Sequence, residues 1–108
     1  MSSPMTPLER ALVEVVANEN WPGFRVDCLR VRMREDTGVG RYVHFDDPCQ
    51  QVLADGSYGA QGRVVEMQGI KHGLYFVIEV SSSRIDYLEI VTGGSDSWDG
   101  VERKWRIA

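Results

Sequence analysis

Cysteine is scarce in this chain: Cys28 and Cys49 are the only two among 108 residues. Two cysteines make no disulfide framework, so an apolar core must hold the fold, and reduced thiols in a cytoplasmic setting are expected. Cationic excess is missing too. Lys and Arg total 12 against 16 Asp and Glu, for a net charge of −4. A chain of that sign is a poor general nucleic-acid binder, which needs a basic footprint. No apolar run approaches the ~20 residues that span a bilayer. The first residues, Met1-Ser2-Ser3-Pro4-Met5, lack the basic and apolar regions of a signal peptide. No nucleic-acid or membrane partner is therefore expected.

Catalytic signatures are equally sparse. There is no Gly-x-Ser-x-Gly elbow, and Ser81-Ser82-Ser83 reads as a turn. Gly38-Val39-Gly40 links two strands, and no Gly-Lys-Ser/Thr follows it, so it is no phosphate loop. His44, Asp46, Asp47, Cys49 and His72 are metal-ligand types, yet no pair has a zinc spacing. Cys28 lies in an apolar run and reads as core, whereas Cys49 follows Pro48 in a loop and reads as exposed. No catalytic set, metal or cofactor is expected, and the chain reads as a non-enzyme.

What is present is enough for one folded domain over residues 1–108: 43% hydrophobic and 26% charged residues. Thr6, Pro7 and Glu9 form a capping-box start, and Trp21-Pro22-Gly23 a stop, predicting a helix from Pro7 to Asn18 or Asn20. Leu8, Ala11, Leu12, Val15 and Val16 share one face, with Glu9, Arg10 and Glu14 elsewhere. Period-two alternation then takes over. Leu29, Val31 and Met33 alternate with Arg30, Arg32 and Arg34, with a bend expected near Cys28–Leu29. Arg41–Phe45 completes a hairpin. Asp46–Gly62 has loop chemistry, with a short helical turn possible at Gln50–Ala54. Arg63–Met67, Leu74–Val80 and Arg84–Thr92 read as further strands, the last two antiparallel across the serine turn, and Trp105–Ile107 can add a short final one. The expected fold is α+β: one N-terminal amphipathic helix packed on an antiparallel sheet of about five strands. One helix covers one sheet face. Tyr75, Val77 and Tyr87 fall on the other, which suggests a homodimer through that face.

Several segments together resemble a group of small uncharacterised bacterial proteins. They are Leu8-Glu9-Arg10-Ala11-Leu12; Arg34-Glu35-x-Thr37-Gly38-Val39-Gly40; Gly69-Ile70-x-His72-Gly73; and Arg84-Ile85-x-x-Leu88-Glu89. In that group a helix, an R-E-x-T-G-V-G hairpin, a G-[LI]-x-H-G turn and an I-x-x-L-E strand follow in this order. The chain departs at its end, where Ile90-Val91-Thr92 and Trp98-Asp99 stand in place of a G-Y-T-Y-like segment and a Trp-Pro pair. The resemblance implies a fold pattern and, by analogy, a toxin-immunity or other partner-binding role.

Three surface features fit that role. Arg30, Arg32 and Arg34, at alternate strand positions, form a guanidinium comb for an anionic partner, or pair with strand carboxylates such as Asp46 or Glu66. Asp96, Trp98 and Asp99 form an acidic loop with a tryptophan, a common hot-spot composition, unless Trp98 folds back onto the sheet. His72 reads as a turn residue, or as a ligand-binding group beside Glu35, Glu66 or Glu89. The expected function is partner-binding, with an immunity-like inhibitor as its form. The alternatives are a homodimeric assembly protein, or a small-ligand binder or enzyme with a sheet-face pocket at His72.

Overall fold

Thr6 opens the helix as its sequence dictates. In the computed structural model, which describes residues 4–108, Thr6 Oγ1 accepts the Glu9 N–H and Glu9 Oε1 accepts the Thr6 N–H. The reciprocal pair satisfies two of the donors a helix start leaves open. Helix α1 runs Pro7–Asn20. Its buried face is turned from the expected one. Leu8, Leu12 and Val16 point inward, but Glu9, Val13 and Ala17 are buried with them, and Ala11 and Val15 are only partly covered. Fully burying each of Leu8, Leu12, Val13 and Val16 contributes about 2 kcal/mol.

Seven antiparallel strands follow: β1 (Arg30–Asp36), β2 (Gly40–Asp46), β3 (Gly56–Tyr58), β4 (Val65–Met67), β5 (Ile70–Ser81), β6 (Arg84–Thr92) and β7 (Trp105–Ile107). They form one sheet in the order β1-β2-β6-β5-β4-β7. The twelve-residue β5 is long enough for two partners on one edge, β4 at its start and β3 at its end. The count exceeds the expected five because β3 forms within the supposed loop and the final β7 is real. Ser82 and Ser83 both have positive φ, 53° and 65°, the twist a two-residue hairpin turn needs between Ser81 and Arg84.

The predicted alternation holds where strands are long. Leu74, Ile78, Val80, Leu88 and Ile90 are buried, while Tyr75, Val77, Glu79 and Glu89 face away from the core. On that second face Tyr42 Oη donates to Glu89 Oε2 at 3.0 Å, and the Tyr42 and Tyr87 rings meet edge to face.

Two expectations are corrected between residues 26 and 62. The chain enters β1 through a 3-10 turn at Val26–Cys28, and the bulge lies within β1 between Val31 and Met33. No helical turn forms at Gln50–Ala54. That segment is tied down by carboxylates instead. Asp47 accepts the Cys49 and Ile85 N–H groups, Asp55 accepts the Ser83 N–H, and Leu53 is buried with its N–H on the Ser83 carbonyl. The two cysteines are not free thiols: Cys28 and Cys49 form a disulfide, with Cα atoms 5.5 Å apart. Cys49, expected to be exposed, is buried, and Cys28 is only half-covered. No helix among the described residues is long and apolar enough to cross a membrane.

Candidate functional site

The bulge at Arg32 breaks the arginine comb. Val31 pairs with Phe45 and Met33 with His44, so Arg32 is one extra residue on β1 and the side chains after it change face. Arg34 consequently points to the helix side, where its Nε and Nη2 donate to the two Glu9 oxygens, both at 2.7 Å, and Nη2 also reaches the Pro4 carbonyl. Arg30 donates to the Asp27 and Leu29 carbonyls, and Arg32 stands 3.7 Å from Asp46. The three guanidiniums do not form one surface. Of the two carboxylates weighed as partners, Asp46 serves Arg32, whereas Glu66 pairs with Arg106 at 2.6 Å.

Arg34 belongs to a buried ion cluster that periodicity does not reveal. Glu9 is fully buried and also binds Arg41, itself 6% exposed. Arg41 further donates to Asp36 at 3.1 Å and Glu102 at 2.8 Å. Burial alone would raise the Glu9 carboxyl. The hydrogen bonds from Arg34 and the Thr6 N–H, and the charges of Arg34 and Arg41, outweigh it and hold the carboxyl below its ordinary value. Trp98 completes this cluster. It is 2% exposed, lies 4.9 Å from the Arg41 guanidinium, and donates Nε1–H to the Val101 carbonyl. Trp98 is thus core, not a surface anchor, which corrects its expected partner-binding role. Asp99 is held by two bonds from Arg103 and by the Val101 N–H, which push its carboxyl far below the usual range.

His72 and Asp96 are brought together. Asp96 Oδ2 accepts the His72 N–H at 2.6 Å and Oδ1 lies 3.3 Å from His72 Nδ1. The His72 N–H holds the Asp96 carboxyl below its ordinary value. Such a contact orients the ring. Nε2 has no hydrogen-bond partner among the described residues. The loop after β6 supports the ring from below. A Cβ at Gly93 would lie 2.7 Å from the His72 carbonyl oxygen and 2.8 Å from the Tyr75 ring, and one at Gly94 3.0 Å from His72 Nδ1. Only bare backbone fits there.

His72 stands at a groove of about 630 Å³ where the start of β5 meets β4 and β7. Met67, Ile70, Tyr75 and Trp105 supply its apolar surface, and Lys71, Lys104, Arg106 and Glu66 its charges. The chain's only two lysines, Lys71 and Lys104, therefore converge on one site in an otherwise Arg-based cation set. Sequence reasoning singled out His72 and Asp96 but missed Tyr75, Lys104, Trp105 and Arg106 as a group. The rarity of lysine was the available signal; the Gly93-Gly94 pair was another.

One further convergence, Cys28, Asp47 and Cys49, joins metal-ligand types. Its sulfurs are bonded to each other and both Asp47 oxygens accept backbone N–H groups, so the set has no free donor geometry for an ion. Comparison with protein families, curated proteins and solved structures finds no match to this chain.

Proposed function

We propose that this chain is a partner-binding protein, of the immunity-like inhibitor kind, and that it holds its partner at the His72 groove. The observation that carries the reading is the groove itself: an aromatic and cationic recess on an acidic chain, with His72 oriented by Asp96 at its margin. Interfaces are anchored by aromatic side chains in concave sites ringed by polar groups, and Tyr75 and Trp105 fit that pattern. A binding role is favoured over a catalytic one because the groove lining carries no serine, threonine or cysteine nucleophile beside His72. The cytoplasmic expectation rested on two reduced thiols. The Cys28–Cys49 bridge fits an oxidising compartment instead.

The test is capture from a lysate of the source organism by tagged protein, by a Lys71→Glu/Lys104→Glu variant and by an Arg30→Ala/Arg32→Ala variant. A partner retained by the arginine variant and lost by the lysine variant supports the reading. Equal capture by all three removes the groove from it.

Self-association is the second reading, and the outer sheet face motivates it. Tyr75 is 52% exposed there, and Tyr42, Val77 and Tyr87 are only half-covered. A monomeric mass at high micromolar concentration counts against it.

A further inference from the structure

The groove's charge is opposite to that of the molecule that carries it. Lys71, Lys104 and Arg106 stand against a single carboxylate of the lining, Glu66, with Asp96, bound to His72, close enough to feel the Lys71 charge, while the whole chain is net −4. Glu66 and Arg106 face each other across the β4–β7 pair and are joined at 2.6 Å, each more than half exposed. That leaves the two lysine ammonium groups as the cations of the lining without an ion pair, Lys71 offset in part by the nearby Asp96. Neither Lys71 nor Lys104 makes an ion pair among the described residues.

We infer that the groove takes an extended acidic peptide segment, whose carboxylates meet Lys71 and Lys104 while an intervening apolar side chain rests on Tyr75 and Trp105. This rests on the partner-binding reading and names the chemistry of the segment bound. Charge complementarity selects it: a local cationic site on an acidic surface favours a ligand with a few spaced carboxylates. A dense polyphosphate would meet Glu66 in the site and the repulsion of the surrounding surface. The site has two further suitable properties. β7 is a sheet edge, paired only with β4, so its free backbone groups can receive an extended chain. His72, with Nδ1 on Asp96, offers Nε2 at the groove margin to a polar group of the segment.

The probe is the capped pentapeptide Ac-Glu-Val-Glu-Val-Glu-NH2, titrated against the oxidised full chain at low salt. Its glutamine counterpart and a hexauridylate run alongside. Amide chemical shifts locate binding. Fluorescence follows Trp105, because Trp21 and Trp98 are buried in the core. The expected result is saturable shifts clustered at Lys71–Tyr75 and Lys104–Arg106 with the glutamate peptide. The glutamine peptide should bind at least about tenfold more weakly, and Lys71→Glu/Lys104→Glu should weaken the glutamate peptide by a similar factor. Arg30→Ala/Arg32→Ala should bind as the parent does. Both lysines are surface groups, and the far-UV spectrum and melting temperature of each variant establish that it is folded. Equal binding of the glutamine peptide, tighter binding of hexauridylate, or shifts elsewhere on the molecule would each overturn the inference, as would no shifts at millimolar peptide. A partner captured through the lysines that shows no acidic segment in the contact would sink this inference and leave the partner-binding reading standing. Capture indifferent to the lysines would sink both.

Discussion

Glu9→Gln is the most informative single substitution, because it removes a charge and almost no volume. The side chain is fully buried and accepts from the Thr6 N–H, from Arg34 twice and from Arg41. Breaking a buried pair by deleting one partner costs about 3–5 kcal/mol, because the other charge is left behind. Two features pull the expectation to the lower end. Arg41 keeps Asp36 and Glu102, and Arg34, 26% exposed, can partly rehydrate. We expect a loss of about 3 kcal/mol at pH 7. For a domain of this size that lowers the urea midpoint by roughly 2 M and the melting temperature by about 12 °C.

The pH dependence gives an independent check. The folded Glu9 carboxyl lies below its ordinary value of 4.5. Its contribution is therefore complete above the unfolded value and lost as pH falls through the folded one. The parent and Glu9→Gln curves should stand apart at neutral pH and converge as the pH falls below the ordinary carboxylate range. Adding Arg34→Gln to Glu9→Gln should cost less than the sum of the two single losses, since they share one interaction. Urea denaturation followed by circular dichroism, from pH 7 to pH 3, measures all of this. A midpoint unchanged within about 0.3 M at pH 7, or a gap independent of pH, would refute the assignment of Glu9 as the charged centre of the cluster.

Three other outcomes are expected. Removing the bridge with Cys28→Ser/Cys49→Ser, across a sequence separation of 21, should lower stability by about 3 kcal/mol in denaturant titration; equal stability of the two forms would mean the bridge constrains nothing. Arg32→Ala, half exposed beside an exposed Asp46, should change stability by less than about 0.5 kcal/mol, while Arg34→Ala should cost several times more; equal effects would restore the comb as a single surface. A Cβ at Gly40 would collide with the Ile90 carbonyl oxygen on the neighbouring strand, so Gly40→Ala should fail to yield a cooperatively melting protein, and a normal melt would show that β2 and β6 can separate there.

Local rules held where a local cause was complete. Thr6, Pro7 and Glu9 lie within one turn, and all the atoms of the capping box come from that stretch. The alternation along β5 and β6 reads correctly because those strands are central and one face is buried along their length. The failures have a shared cause. Glu9 reads as a solvent-facing helix residue until Arg34 and Arg41 arrive from two strands to neutralise it. The arginine comb looks uniform because a bulge leaves no mark in an alternating pattern, yet one inserted residue reverses which face follows. The short β3 and β7 are too brief for periodicity and exist because β5 and β4 offer edges to them.

The sequence by itself determined the fold class, the helix start, the hairpin turns and the central strands, since these depend on residues within a few positions of each other. Tertiary structure alone decided the burial of Glu9 and Trp98, the joining of Cys28 to Cys49, and the meeting of Lys71, His72, Trp105 and Arg106 around one groove. Those contacts are made between segments far apart in the chain, and their energies appear only once the sheet order has brought the segments together.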